Sequence, residues 1–529
     1  MKRASRTRAA DAIEIYDTTL RDGSQAEGVS YSVQDKLLIA ERLDKLGVDY
    51  IEGGWPGSNP KDAAFFAKAS KTRFKHAELV AFGSTCRARK NAARDANLRS
   101  LIDAGTRSVT LFGKCWDLHV RDVFKVALSE NLRMVFDSVR FLKRSGKKVL
   151  FDAEHFFDGY RADPDYALDV CRAAIDGGAT TVILCDTNGG SMPWEVSAAV
   201  SEFRRRFPEA GIGIHTHNDS GLAVANALAA VREGAIQVQG TINGQGERCG
   251  NLDLVTAAAD LHFKMGKRVL AHDGLKRLTE TSRFVYEISN QILQNQQPYV
   301  GSSAFAHKGG VHIDAVLKNA RTYEHLVPEA VGNQRRLLTS ELSGKTNIVM
   351  KASHFADRLS KESPKIRRIH RKIQELENEG YQFEAAEASL ELLIRKVLKK
   401  TKPLFQLLDY KVVVVTKGGA APTSEATIRL KVGKAEEHTA ALGDGPVNAL
   451  DSALRKALIP FYPKLASMRL SDFKVRVLDQ KSGTAAKVRV FVVSQDHKGV
   501  WTTVGISTNL IEASWNALVD SIEYKILKR

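Results

Sequence analysis

The chain of 529 residues carries only five cysteines, Cys86, Cys115, Cys171, Cys185 and Cys249, and no two of them form a CxxC pair. That scatter excludes a disulfide frame and a structural zinc, and it suits reduced thiols in a cytoplasmic setting. No apolar window approaches the length of a membrane span, so no membrane is expected as partner. Residues 1–10 hold Lys2, Arg3, Arg6 and Arg8 but lead into no apolar segment, which reads as a basic tail and not a signal peptide. Zinc-finger spacing is missing, and so is a basic region running into heptads. The formal charge of +17 then suits anionic substrates better than nucleic acid, which is not expected as a partner.

What is present is an ordinary soluble composition, 43% apolar and 26% charged, at a length that calls for two to four domains. From 11 to about 265, apolar strand patterns at 13–16, 48–53, 78–83, 107–112, 148–153, 180–185, 211–215 and 235–240 alternate with helical ones. The helical patterns include 33–46, 91–104, 120–144, 166–176, 193–207 and 221–231. Glycines at 47, 105, 146, 178 and 234 supply left-handed helix ends before the next strand. Eight such units fit a (β/α)8 TIM barrel, with an open doubly wound sheet as the rival. Polar clusters follow many of the strands, and only a barrel gathers the ends of all its strands into one ring. The fold class is therefore α/β: a catalytic barrel (11–290), a mostly helical connecting region (291–403) and a C-terminal α+β domain (404–529). In the last part three strands and a helix occur twice, which indicates a duplicated βββα module suited to binding or regulation.

Two clusters carry the chemistry. Asp17-Thr18-Thr19-Leu20-Arg21-Asp22-Gly23-Ser24-Gln25 ends the first strand, with Asp22 as a hard oxygen ligand and Arg21 as a fixed fork for a carboxylate or carbonyl oxygen. His215-Thr216-His217-Asn218-Asp219 ends the seventh, and its two imidazoles, two residues apart, point the same way. Two imidazoles and the carboxylate of Asp22 make a divalent-metal arrangement for Mg, Mn or Zn. The loop Asn243-Gly244-Gln245-Gly246-Glu247-Arg248-Cys249-Gly250-Asn251 adds Asn243 and Asn251 as further candidate oxygens. Such a mouth suits binding of a 2-oxo acid through its ketone and carboxylate oxygens, with Arg21 offsetting charge on the ketone oxygen.

These three motifs in this order resemble the isopropylmalate, homocitrate and citramalate synthases and their lyase relatives, metal-dependent barrels of the aldol–Claisen type. The resemblance continues through 304–314, Val331-Gly332-Asn333-Gln334-Arg335-Arg336, Ser343-Gly344-Lys345-Thr346-Asn347 and Gly443-Asp444-Gly445-Pro446-Val447-Asn448-Ala449, so it covers nearly the whole chain. It implies that Asp22, His215 and His217 bind the metal and that Arg21 acts on the oxo-acid oxygen. Glu154 and Glu52 would lie against the substrate, and Thr187 would meet its carboxylate. His312, helped by Asp314, would act on the base side, and Asn243 would be an outer ligand. Acetyl-CoA is the implied co-substrate.

Gly28-Val29-Ser30-Tyr31-Ser32 and Tyr50-Ile51-Glu52-Gly53-Gly54-Trp55-Pro56-Gly57 are similar to the citramalate branch, for which the oxo acid is pyruvate. The bulk of Trp55 fits a side chain no larger than methyl. The rivals are the same condensation on 2-oxoisovalerate in leucine synthesis, a homocitrate synthase, and a metabolite sensor that has lost activity. The family further implies feedback by isoleucine on 404–529 and a homodimer or higher assembly.

Overall fold

The computed structural model describes residues 11–271, 273–338, 345–353, 355, 359–360, 362–401, 403–416, 418, 421–478, 485–496 and 499–528. The 1–10 tail and Ser343-Gly344 lie outside them. The described residues divide into two units, one up to Phe305 together with Leu326–Arg335, the other Ala306–His325 together with the chain from Arg336 onward.

In the first unit eight parallel strands close into a barrel in sequence order. They are β1 (Glu14–Asp17), β2 (Tyr50–Gly54), β3 (Glu78–Ser84), β4 (Ser108–Lys114), β5 (Lys148–Glu154), β6 (Thr181–Asp186), β7 (Gly211–Thr216) and β8 (Gln237–Gly240). Alternation sorts their side chains. Ile15, Ile51, Val109, Leu111, Val149, Phe151, Val182, Leu184, Ile212 and Ile214 face the helices and join one continuous core. Tyr16, Tyr50, Val80, Leu150, Ile183 and Cys185 fill the barrel interior. Strand β8 lies between β7 and β1, so Asp22 and His215 are separated by a single strand, as the sequence implied.

The helix Val33–Leu46 follows its pattern to the residue. Ser32 and Asp35 form a capping box at its start, and Gly47 ends it in the left-handed region. Two helical readings need correction. The 120–144 pattern is a π-helical stretch, His119–Phe124, and an α-helix, Leu128–Arg144, separated at Lys125 with φ 54°. The 91–104 pattern breaks at Asp95, which ends a short 3-10 turn, Ala92–Arg94, and caps Ala96–Asp103 by accepting from the amides of Asn97 and Leu98. In both cases a local cap interrupts an apolar period that continues on either side.

The second unit holds the helix Gly310–Lys318, a helical cluster built on Pro364–Glu379 and Glu387–Val397, and two three-stranded antiparallel sheets. Each sheet is followed by a helix, Pro446–Leu458 or Leu510–Leu527, as the duplication implied. The first strands of the two sheets even share an irregularity at matching places, between Leu407 and Asp409 and between Leu470 and Asp472. Both halves contribute to one apolar core.

At the end of β1, Asp17 is wholly buried and accepts the Thr19 amide at 2.9 Å and its hydroxyl at 3.0 Å. Burial outweighs those bonds and pushes its pKa up to about 7. The protonated carboxyl therefore favours the folded barrel fully below its ordinary value of 3.8, and this contribution is lost as the pH rises through 7. Asp17→Asn is expected to gain stability on the wild type between about pH 5 and pH 8, by on the order of 2–4 kcal/mol. Thermal unfolding across that range, in metal-free buffer, checks this. A difference that stays flat with pH would mean that Asp17 ionises without cost.

Candidate active site

The inward positions of the strands end in a cavity of about 260 Å³ at the carboxyl end of the barrel. Strand β1 and its turn bring Arg21 and Asp22. Strands β2 to β4 bring Trp55, Phe82 and Phe112, β5 brings Asp152 and Glu154, and β6 brings Cys185 and Thr187. His215 and His217 come from β7, and Glu247 and Arg248 from the loop after β8.

Arg21 is held at one edge, at Nη1 and on one face. Its Nε donates to Glu52 Oε1 at 2.6 Å, its Nη1 lies 3.3 Å from Asp22 Oδ1, and its guanidinium carbon sits 3.8 Å over the Phe82 ring. Glu52, fully buried, also accepts from the Tyr16 hydroxyl at 2.5 Å. Burial opposes the charge on Arg21, but Asp22 and Glu52 outweigh it and hold the pKa above the ordinary arginine value. Burial likewise opposes ionisation of Asp22, yet Arg21 and then His215 keep its pKa well below the usual carboxylate range.

Ligand atoms of Asp22, His215 and His217 lie within 4.8 Å of one another, and all three residues are buried. His215 Nδ1 is 3.0 Å from Gln239 Oε1, the residue paired with it on β8, so Nδ1 carries the proton. Nε2 faces Asp22 Oδ2 at 3.3 Å. Although burial opposes charge on His215, this carboxylate outweighs it and raises the pKa, so a bound cation would take the place of a proton at Nε2. His217 has a pKa of about 4, because burial and then the neighbouring His215 disfavour its charge, so it is neutral near pH 7. Its Nδ1 and the Oδ1 of Asn251 are both buried without a hydrogen-bond partner. A carboxylate held ionised and two buried imidazoles, one of them neutral with its Nδ1 unpartnered, form a donor set that fits a divalent cation.

The implied site residues divide into distinct groups. Arg21, Asp22, Glu154, Thr187, His215 and His217 line the cavity. Asn251 reaches the same cluster, its Nδ2 2.9 Å from Asp22 Oδ2 and 3.2 Å from His215 Nε2. It does so because Gly246 has no side chain, since a Cβ there would come within 1.9 Å of Asn251 Oδ1. Glu52 does not line the cavity, and its carboxylate is occupied beneath Arg21. Asn243 turns away from the cluster. Its amide bonds the Ser282 carbonyl at 3.0 Å and accepts from the Ser282 hydroxyl at 2.6 Å and from Gln297 at 3.2 Å.

His312 and Asp314 belong to the second unit, on Gly310–Lys318. His312 is exposed with its ring 4.3 Å from that of Tyr323, and Asp314 bonds Lys318 at 2.6 Å. Sequence reasoning passed over Asp152, Gln239, Phe82 and Phe112. Asp152 stands two residues before Glu154 on the same face of β5, the alternation that would have found it. Burial, reinforced by Glu52, pushes its pKa up to about 7.

Comparison with known proteins agrees with this architecture. Residues 12–285 match the HMGL-like family, 299–381 the homocitrate synthase post-HMGL domain-like family, and 384–526 the LeuA allosteric (dimerisation) domain. An (R)-citramalate synthase of Aquifex aeolicus is 55% identical over 98% of both chains, and one of Geobacter sulfurreducens is 51% identical over 98% of both. A 2-isopropylmalate synthase of Methanocaldococcus jannaschii is 32% identical over 98% of this chain and 96% of its own. With that cluster at the mouth of an HMGL-like barrel, and with full-length identity that is far higher to one kind of synthase than to the other, the chain belongs to the HMGL-like family and, within it, to the group of (R)-citramalate synthases.

Proposed function

We propose that the protein condenses acetyl-CoA with pyruvate and water to give (R)-citramalate and CoA. The observation that carries this reading is the joining of Arg21, Asp22, His215 and His217 to a small cavity with an aromatic wall of Trp55, Phe82 and Phe112. The names of the full-length relatives support it. The rival 2-oxoisovalerate reading rests on relatives far more distant.

In this reading Asp22, His215 and His217 hold a divalent cation, with Asn251 beside them. What such a cation supplies when bound is Lewis acidity toward the ketone and carboxylate oxygens of a 2-oxo acid. Arg21, charged and immobile, faces the ketone oxygen as the acetyl methyl carbon, having lost a proton, forms its bond to the ketone carbon. Thr187 meets the substrate carboxylate and Glu154 lies along its carbon skeleton. His312, helped by Asp314, acts on the base side and takes that proton. Water then cleaves the thioester and CoA departs as the thiol.

By the same reading residues 11–290 are the catalytic part, 291–403 the connector, and 404–529 an effector and dimerisation domain. Exposed Val413, Val414, Val415, Val475 and Val477 on its outer strands support assembly through that domain. Isoleucine is its feedback ligand. Five unbridged cysteines, and the lack among the described residues of a helix long and apolar enough to cross a membrane, support a cytoplasmic setting.

The decisive assay supplies acetyl-CoA with a panel of 2-oxo acids and follows thiol release. Pyruvate is expected to exceed 2-oxoisovalerate in kcat/KM by about a hundredfold or more, because the wall of Trp55, Phe82 and Phe112 would reject the isopropyl group by overlap. Comparable values would move the assignment to the leucine pathway. Isoleucine added to the same assay is expected to inhibit, and indifference to it would remove the effector role.

Metal dependence is tested separately. His215→Ala is expected to abolish tight binding of Mn²⁺ in calorimetry and to leave the circular dichroism unchanged. Gln239→Leu should weaken that binding by about 10–100-fold. Full turnover after exhaustive chelation would refute the metal reading. His312→Ala is expected to lower kcat by about a hundredfold or more with little change in the KM for pyruvate. A raised KM with kcat intact would assign His312 to binding instead.

A further inference from the structure

The aromatic wall of the cavity is held from outside. Phe82 and Phe112 stack with centroids 5.3 Å apart and planes 15° apart, and the indole of Trp55 stands edge-on to both at 83°, 6.0 and 5.5 Å away. Trp55 sits on the loop just after β2, where two hydrogen bonds hold it. Its backbone N–H donates to Asp62 Oδ2 at 2.9 Å, and its indole Nε1 donates to Asn97 Oδ1 at 2.6 Å.

Both acceptors are themselves anchored. The carboxylate of Asp62 pairs with the buried ammonium of Lys36, which also donates to the Gly53 carbonyl at 3.0 Å. The chain closes on Asp62 only because residue 54 is glycine, at φ 140°, where a Cβ would come within 2.4 Å of that carboxylate. Asn97 lies on Ala96–Asp103 and does not line the cavity. Its Nδ2 donates to the Ser84 carbonyl at 2.7 Å and reaches the Ser84 hydroxyl at 3.3 Å, which fixes the amide so that Oδ1 faces the indole.

We propose that Asn97 is a positioning residue that sets the size of the 2-oxo acid the enzyme accepts, by pinning the Trp55 indole against Phe82 and Phe112. The inference rests on the reading of this cavity as an oxo-acid site and deepens it. With the indole fixed, the paired phenyl rings are held in place, and the space beside Arg21 stays closed to a longer alkyl group. Released at Nε1, the indole can swing on its side-chain torsions, and the wall yields by about one methylene.

The test measures kcat/KM for pyruvate and for 2-oxobutyrate, one methylene longer, in Asn97→Leu, Trp55→Phe and the double variant. Asn97→Leu removes the acceptor, and Trp55→Phe removes the donor while keeping an aromatic ring. Each single change is expected to shift the ratio toward 2-oxobutyrate by about tenfold. The double variant should shift it no further than Trp55→Phe alone, since both act through one hydrogen bond. Turnover of pyruvate by Asn97→Leu should stay within a few-fold of the wild type.

An unchanged ratio in an active Asn97→Leu enzyme would overturn the proposal, and so would a shift that adds to that of Trp55→Phe. A folded Asn97→Leu protein equally poor with both acids would also overturn it, by showing general support and not selectivity. If Asn97→Leu does not fold, Trp55→Phe decides alone, and an unaltered ratio there overturns the proposal. Wild-type protein inactive with every oxo acid would instead refute the condensation itself, a distinguishable outcome.

Discussion

The buried charge chain from Glu52 through Arg21 to Asp22 is the constraint on which the barrel mouth depends. A guanidinium with little exposure to water is tolerable only when its donors are met and its charge is answered, and removing one partner from such a pair costs about 3–5 kcal/mol. Here Glu52 takes the Nε edge, Asp22 stands beside Nη1, and the face lies on Phe82. Glu52 in turn is held by the Tyr16 hydroxyl, which is 2.7 Å from Thr110 Oγ1. Four of the eight strands or their turns therefore converge on one cation. The position of Arg21 follows from the closed barrel, and the ionised state of Asp22 follows from Arg21.

Much of this was legible in the sequence because period and capping are local properties. All eight strands lie where apolar runs placed them, and the Asp22–His215–His217 cluster followed once the barrel was chosen over the open sheet. What was not legible depends on the other face of the same strands. Phe82, Phe112 and Asp152 sit in apolar or mixed runs, where nothing local separates an inward residue from an outward one until the register is known. Glu52 illustrates the converse. A carboxylate at a strand end reads as a ligand for substrate, yet its partner, Arg21, comes from a different strand and claims it first. Asn243 is a similar case, its amide engaged by Ser282 and Gln297. Its positive φ of 63° turns the amide toward Ser282 and away from the cluster.

The site is also sorted around the ring. Strands β2 to β4 contribute rings, and β5 to β8 with β1 contribute carboxylates, imidazoles and amides. An oxo acid has the same polarity, with two adjacent oxygen-bearing carbons at one end and an alkyl group at the other. On the proposed reading a sorted ring would orient it before any single contact is counted, with its oxygens toward Asp22, His215 and Thr187 and its alkyl end toward Phe82 and Phe112. Arg21 spans the boundary, its guanidinium face on Phe82 and its edge among the carboxylates.

This sorting separates two properties that a smaller pocket would tie together. Chemistry at the ketone would depend on the polar half, whose members hold one another through Gln239, Asn251 and Arg21. Tolerance for the alkyl group would depend on the aromatic half, whose Trp55 is held by Asp62 and Asn97 behind the strands. The wall can therefore change by one side chain without moving a candidate metal ligand. Barrels of one chemistry that differ in the length of the oxo acid they accept would be expected to differ there first, in β2 to β4 and in the residues that brace them.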